Sequence, residues 1–125
     1  MPVTHPTPVR NSIADFVCNQ INEGAPPGKL VMQTAGGVTV ATLSFANPAF
    51  GRAVAGVATA NPIASDTNAV GGTIARAELR NAAGAAKVLC SVSAIGMGGD
   101  IQLASVVVSV GQSVSVSSLS YRAPP

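Results

Sequence analysis

DIQLASVVVSVGQSVSVSSLSY, residues 100–121, decides how the chain is read. It is the longest β-type run in the sequence: rich in valine, free of proline and broken only at Val110-Gly111-Gln112-Ser113. A strand to about Ser109, a tight turn on Gly111 and a return strand from Val114 to Tyr121 form the expected hairpin. On the return strand Val114 and Val116 share a face, whereas Leu119 and Tyr121 fall on the side of Ser115 and Ser117. A bulge near Ser117-Ser118 restores all of these large side chains to one face, because a single extra residue flips the alternation.

Working back from this run, the same period of two recurs. Leu30 and Met32 alternate with Val31 and Gln33, Gly36-Gly37 turns the chain, and Ala41, Leu43 and Phe45 share a face of the return. Residues 73–80 alternate as well, with Ile74, Arg76, Glu78 and Arg80 facing one way and Thr73, Ala75, Ala77 and Leu79 the other. Asn81-Ala82-Ala83-Gly84 is a compact hairpin loop, and the strand after it has Val88, Cys90 and Val92 on one face. The loop Asn47-Pro48-Ala49-Phe50-Gly51 exposes an aromatic or buries it in a neighbour. Asn61-Pro62 separates two short alanine-rich β candidates, a break that suits a sheet edge. Gly96-Met97-Gly98-Gly99 forms a crossing loop. Short strands punctuated by Gly, Pro and Asn predict a mainly β protein, an antiparallel β-sandwich or jelly-roll-like barrel. No βαβ alternation is visible, so a parallel sheet is not expected.

The N-terminal part differs. Pro2, Pro6 and Pro8 favour an extended arm over residues 1–8. Thr7 is placed to cap a helix whose first residue is Pro8. Val9, Ile13, Phe16, Val17 and Ile21 follow at helical spacing, with Gly24 as the stop and Arg10, Asn11, Asp15, Asn19 and Asn22 on the opposite face. The spacing predicts one amphipathic helix over about 9–23, its apolar stripe laid on the sheet. The organisation is then an arm (1–8) and a single β-rich domain (9–125).

Composition constrains the partners. Hydrophobic residues make up 47% of the chain and charged residues 10%, with 3% aromatics. Ordinary soluble domains carry roughly a quarter charged residues. The apolar content is mostly Ala and Val, which bury little area each, so the core is thin and the surface short of charge. Cover by partner subunits resolves this; a monomer with a surface of Ser, Thr, Asn and Gln is the alternative. The net charge of +2 comes without a basic cluster and with few aromatics, so nucleic acid is not an expected partner. No run approaches the ~18 apolar residues of a membrane span, and MPVTHPTPVR has no secretory apolar core. Cys18 and Cys90 are expected as free buried thiols in a reducing cytosol, with a disulfide as the alternative.

The chain offers little material for catalysis. Its one histidine, His5, lies in the arm beside Pro6, where the fixed orientation a catalytic imidazole needs is not expected. Asp15 and Glu23 are assigned to the solvated helix face, and Asp66 and Asp100 to turns where they cap backbone amides. Glu78 lies between Arg76 and Arg80 on one strand face, a surface charge ladder or a subunit contact. One His and two distant Cys do not make a zinc shell, and the glycine pairs form neither GxGxxG nor a P-loop. No enzyme activity, cofactor or metal is expected.

Four stretches taken together, KLVMQTAGG (29–37), VATLSFANPAFGRAVAGVATANPIASDTNA (40–69), GGTIARAELRNAAGAA (71–86) and GGDIQLASVVVSVGQSVSVSSLSY (98–121), resemble the head decoration, or cement, proteins of tailed bacteriophages. The resemblance follows the chain in order from helix to final hairpin. It implies a structural virion protein, made in the bacterial host cytoplasm, that binds the outer surface of the head and stabilises joints between capsomers. Its implied partners are the major capsid protein and copies of itself, as a dimer or trimer. The contacts then fall to the arm (Pro2, Val3, Thr4, His5, Pro6), the loops at Phe50 and Pro62, and the trio Arg76, Glu78 and Arg80. Relatives carry large aromatics where this chain has Arg76 and Glu78, which implies a different contact at that strand. Two other readings stand beside it: a tail or baseplate component of such a phage, and a non-viral adhesive or carbohydrate-binding β-domain.

Overall fold

Leucine rows set the centre of the structure. The computed structural model describes residues 3–23, 27–116 and 119–123. Strands β1 (Lys29–Gln33) and β2 (Thr39–Ser44) form one antiparallel hairpin, β5 (Arg76–Arg80) and β6 (Ala86–Ala94) another, and β1 pairs with β5. This register aligns Leu43, Leu30, Leu79 and Val88 across four strands, with Ala41, Met32, Ala77 and Cys90 in the next row. Large rows beside small rows let a core of modest side chains pack without voids. A register slip after Met32 inserts Val40 as an extra residue, so Val40 and Ala41 are both buried.

With β7 (Ile101–Leu103) the strand order becomes β2-β1-β5-β6-β7. Two short ribbons complete the β structure: β3 (Val57–Thr59) with β9 (Ser120–Arg122), and β4 (Gly72–Thr73) with β8 (Val107–Val108). The result is mainly β with one N-terminal helix, a curled sheet with a sandwich-like or barrel-like arrangement.

Three expectations are corrected. First, β7 runs parallel to β6, pairing Val92 with Ile101 and Ala94 with Leu103. A glycine-rich link over residues 95–100 returns the chain beside its own strand, and a three-residue ladder needs no helical crossover. Second, residues 100–121 do not close as a hairpin. The segments flanking the turn lie along residues 66–73, where Val107 pairs with Thr73, Val108 with Gly72 and Val114 with Asp66, while Ile101–Leu103 pairs with β6 and Ser120–Arg122 with β3. The Gly111 turn exists, with Gln112 N donating to Ser109 O, but it faces Ala69, whose carbonyl accepts from Gly111 N. It is a turn within one irregular ladder. Val114, Val116 and Leu119 are buried and Tyr121 packs against the core; the bulge expected at Ser117-Ser118 lies outside the described residues. Third, Ile74 is buried with Ala77 and Leu79, not set beside Arg76. Ile74 N donates to Val106 O and Ala75 N to Gln33 O, and this change of partners resets the alternation between β4 and β5.

The helix α1 (Thr7–Asn19) begins one residue earlier than expected and continues as a 3-10 turn, Gln20–Asn22. Its N-cap is Pro6, whose carbonyl accepts from Val9 N and Arg10 N, and no side chain caps it. The stop assigned to Gly24 lies outside the described residues. The helix is also rotated from the expected orientation: Ala14, Cys18 and Ile21 are buried, whereas Phe16 is 68% exposed and Val9 42%. Ile13 and Ile21 of the expected stripe do pack on the core and Asn19 stays exposed, but part of the supposed solvent face is turned toward the loop over residues 49–56. Asn11 Oδ1 accepts from Gly56 N at 2.7 Å, Asp15 Oδ1 from Ala53 N at 2.8 Å and Asn22 Oδ1 from Ala49 N at 3.0 Å. Leaving each of those amides unsatisfied costs about 1–3 kcal/mol, against about 1.5–3 kcal/mol for burying one large apolar side chain. Three such amides, about 3–9 kcal/mol together, match or exceed the roughly 3–6 kcal/mol that burying Val9 and Phe16 would contribute.

Candidate interaction surface

The expected contact residues fall into separate places. Val3, Thr4 and Pro6 are exposed and His5 half-buried ahead of α1; Pro2 lies outside the described residues. Pro62 is exposed between β3 and the bridge from Ser44 to Ala64 at the β2 edge. Phe50 does not serve as a surface contact: it is buried in this chain's own core, with its ring centroid 5.8 Å from that of Phe45.

Arg76, Glu78 and Arg80 form a cluster. Their strand alternates, so Ala77 and Leu79 enter the core while the trio stands on the outer sheet face. Arg80 Nη2 lies 2.6 Å from Glu78 Oε1, and Arg76 Nη2 3.1 Å from Glu78 Oε2. The hydrogen bond from Arg80 is the main reason the Glu78 carboxyl is held below the usual carboxylate range; both guanidinium charges add to it, against partial burial. The register adds neighbours that the sequence did not single out: Lys29 opposite Arg80, Val31 opposite Glu78 and Gln33 opposite Arg76. Leu89 stands opposite Glu78 on the other side. Lys29, Leu89 and Gln33 were missed because strand pairing alone brings them to the trio.

No family model, curated protein or solved structure matches this chain.

The remaining carboxylates are tied into the fold. Asp15 accepts from Ala53 N, Asp66 from Thr42 N and Asn68 N, Asp100 from Ser91 N and Oγ, and Glu23 pairs with Lys87 at 3.1 Å. The turn assignments for Asp66 and Asp100 hold; the solvent assignment for Asp15 does not. Both cysteines are free, Cys18 buried and Cys90 half-buried. Burial above all, then the Asp15 charge, pushes the Cys18 thiol up to about 12; burial and Asp100 push Cys90 up to about 11. Cys90 opens on a cleft of about 320 Å³ with Val88, Asp100, Leu119, Tyr121 and Arg122, where a protonated thiol is a poor nucleophile at neutral pH. Among the described residues no group of three or more His, Cys, Asp or Glu side chains is arranged to hold a metal ion, and no helix is long and apolar enough to cross a membrane.

Proposed function

We propose that this chain is a structural virion protein that decorates the outer surface of a tailed-phage head and stabilises joints between capsomers. One observation carries the reading: eleven large apolar side chains among the described residues are exposed, in a chain with 10% charged residues. They are spread over the helix (Val9, Phe16), turns (Val38, Val54) and late loops (Ile95, Met97, Val110), a distribution that suits contact with several neighbours. The carboxylates committed to backbone and ion-pair bonds support a role in packing over one in chemistry, and the sequence resemblance points the same way.

A protein that binds only the assembled shell stabilises that shell by mass action, and many identical copies add avidity. The exposed arm residues Val3, Thr4 and Pro6 and the exposed Pro62 supply contacts of this kind, with the major capsid protein and sister copies as partners. The test is to separate heads and tails from a lysate by density gradient and probe each for this chain. Detection on heads at many copies per particle is expected. Detection on tails alone supports the tail-component reading, and absence from both contradicts a virion role.

A further inference from the structure

We infer that two copies of this chain pair about a two-fold axis at the cleft between β6 and β9, each seating Leu89 in the other's cleft and setting Arg122 against the partner's Asp100. This contact is the one by which sister copies meet in the proposed function, on which it rests only for its biological setting. The cleft, of about 320 Å³, has two walls. Residues 88–90 of β6 form one, together with Asp100, which accepts from Ser91 N and Oγ; residues 119–122 form the other. Leu119 is buried and Val88, Cys90 and Tyr121 half-buried, whereas Leu89 is 68% exposed. A hollow lined by apolar side chains with an exposed leucine beside it is a hole next to its own knob. A two-fold axis places each knob in the other hole. Leu89 also lies on an uncovered strand edge. Val92 N donates toward β5, to Ala75 O, while Ser91 N is taken from the opposite side by Asp100. Alternation turns Leu89 N–H and C=O the same way as those of Ser91, and β7 pairs only with residues 92–94. Among the described residues no strand covers the edge at Leu89. An open edge carrying a large apolar side chain is a surface that calls for a neighbour.

The charges select a second copy as the occupant. Arg122 is exposed and, among the described residues, pairs with no carboxylate. Asp100 accepts through Oδ2 alone, which leaves Oδ1 without a donor among the described residues. The two walls therefore carry one cation and one anion, with no excess to draw a strongly acidic or basic partner. A patch with one charge of each sign about an apolar centre matches itself when turned through a half circle, and both ion pairs form at once. The apolar centre supplies the anchor and the charges its rim. Other hollows lack one of these parts. The hollow over Leu103, Val108 and Val114 has no charged side chain, and the one beside Asp15, Phe50 and Arg52 has no exposed large apolar side chain.

The test traps the pair and then weakens it. Leu89→Cys and, as a control, Val110→Cys, which replaces a side chain 83% exposed beside the Gly111 turn, are oxidised with copper phenanthroline in air. Leu89→Cys is expected to give disulfide-linked dimers about fivefold faster than the control or more, since it lies within reach of thiols in the partner's cleft. Sedimentation of the purified chain measures the dimer dissociation constant. Arg122→Gln and Asp100→Asn, the latter keeping an acceptor for Ser91 N, are each expected to raise it about fivefold, because an exposed ion pair made twice is lost. The double variant should be no weaker than either single, because both remove the same contact. Leu89→Asp should leave monomers. A wild-type chain that stays single at every concentration, a control that crosslinks as fast as Leu89→Cys, or single losses that multiply in the double variant overturns the inference. If Asp100→Asn fails to fold, Leu89→Asp decides in its place, and a dimer that survives it overturns the pairing. None of these assays needs heads. Dimers trapped at residue 89 in a chain absent from virions keep this face and remove the virion reading, whereas a monomer that binds heads overturns this face and leaves that reading standing.

Discussion

The β5–β6 hairpin and residues 100–121 have the same local turn chemistry and opposite outcomes. Each turn has a glycine at positive φ, Gly84 at 90° and Gly111 at 81°. In each, an amide side chain accepts a backbone N–H: Asn81 Oδ1 from Ala85 N, Gln112 Oε1 from Ser109 N. Yet one closes on itself and the other opens along residues 66–73. The difference lies in the flanking faces. Leu79 opposite Val88 and Ala77 opposite Cys90 give β5 and β6 a matched inner side. Val106, Val107 and Val108 have no polar alternate to mark a face, and Val107 and Val110 end up exposed. A glycine turn permits reversal; matched side chains decide whether the arms meet.

Four expected outcomes probe that contrast. Leu43→Ala opens a cavity in the leucine row and should lower stability by about 2–5 kcal/mol in denaturant unfolding. A loss below ~1 kcal/mol would mean the rows are misassigned. Asp66→Ala removes the carboxylate that accepts from Thr42 N and Asn68 N, with an expected loss of about 1.5–3 kcal/mol. Because Val114 N donates to Asp66 O, hydrogen exchange at Val114 should speed up in the same variant. Asn81→Ala, which deletes only the turn bond in the closed hairpin, should cost about 0.5–1.5 kcal/mol and leave Val114 exchange unchanged. A Val114 response to Asn81→Ala equal to that of Asp66→Ala would break the comparison.

The smallest effect at neutral pH comes from titration. Raised thiol pKa values mean that the folded state holds those protons more tightly than the unfolded chain. Their contribution is therefore complete below pH 9.0 and lost as pH rises toward about 11 for Cys90 and about 12 for Cys18. The depressed Glu78 carboxyl acts at the other end, stabilising above its ordinary value of 4.5 and losing that contribution as pH falls. Unfolding midpoints should be flat between these limits, with alkylation of Cys90 faster than that of Cys18. A midpoint that rises above pH 9 would reverse the assigned sign.

Much of the sheet was legible because Ala77 and Leu79 alternate with charged residues on β5, where a one-residue slip would expose both; β1 is buried from Leu30 to Gln33, so its faces are less sharply marked. The mainly β class followed from those runs. The helix was legible in place but only partly in rotation: Val9 and Phe16 gave a strong periodic signal, while Asn11, Asp15 and Asn22 were claimed by amides of a loop 27 to 45 residues away in sequence. Phe50 was unreadable for a similar reason, since its partner Phe45 reaches it across the turn at Pro48. The charged face was half legible: Arg76, Glu78 and Arg80 stand out on one strand, but Lys29 and Leu89 join them only through register.

Solution mass, recorded for the purified chain alone and after mixing with purified heads, tests the central claim most directly. Self-association of the chain alone is expected, together with near-stoichiometric uptake onto heads that shifts the particle mass by many copies. A monodisperse single copy whose presence leaves the head mass unchanged would contradict it.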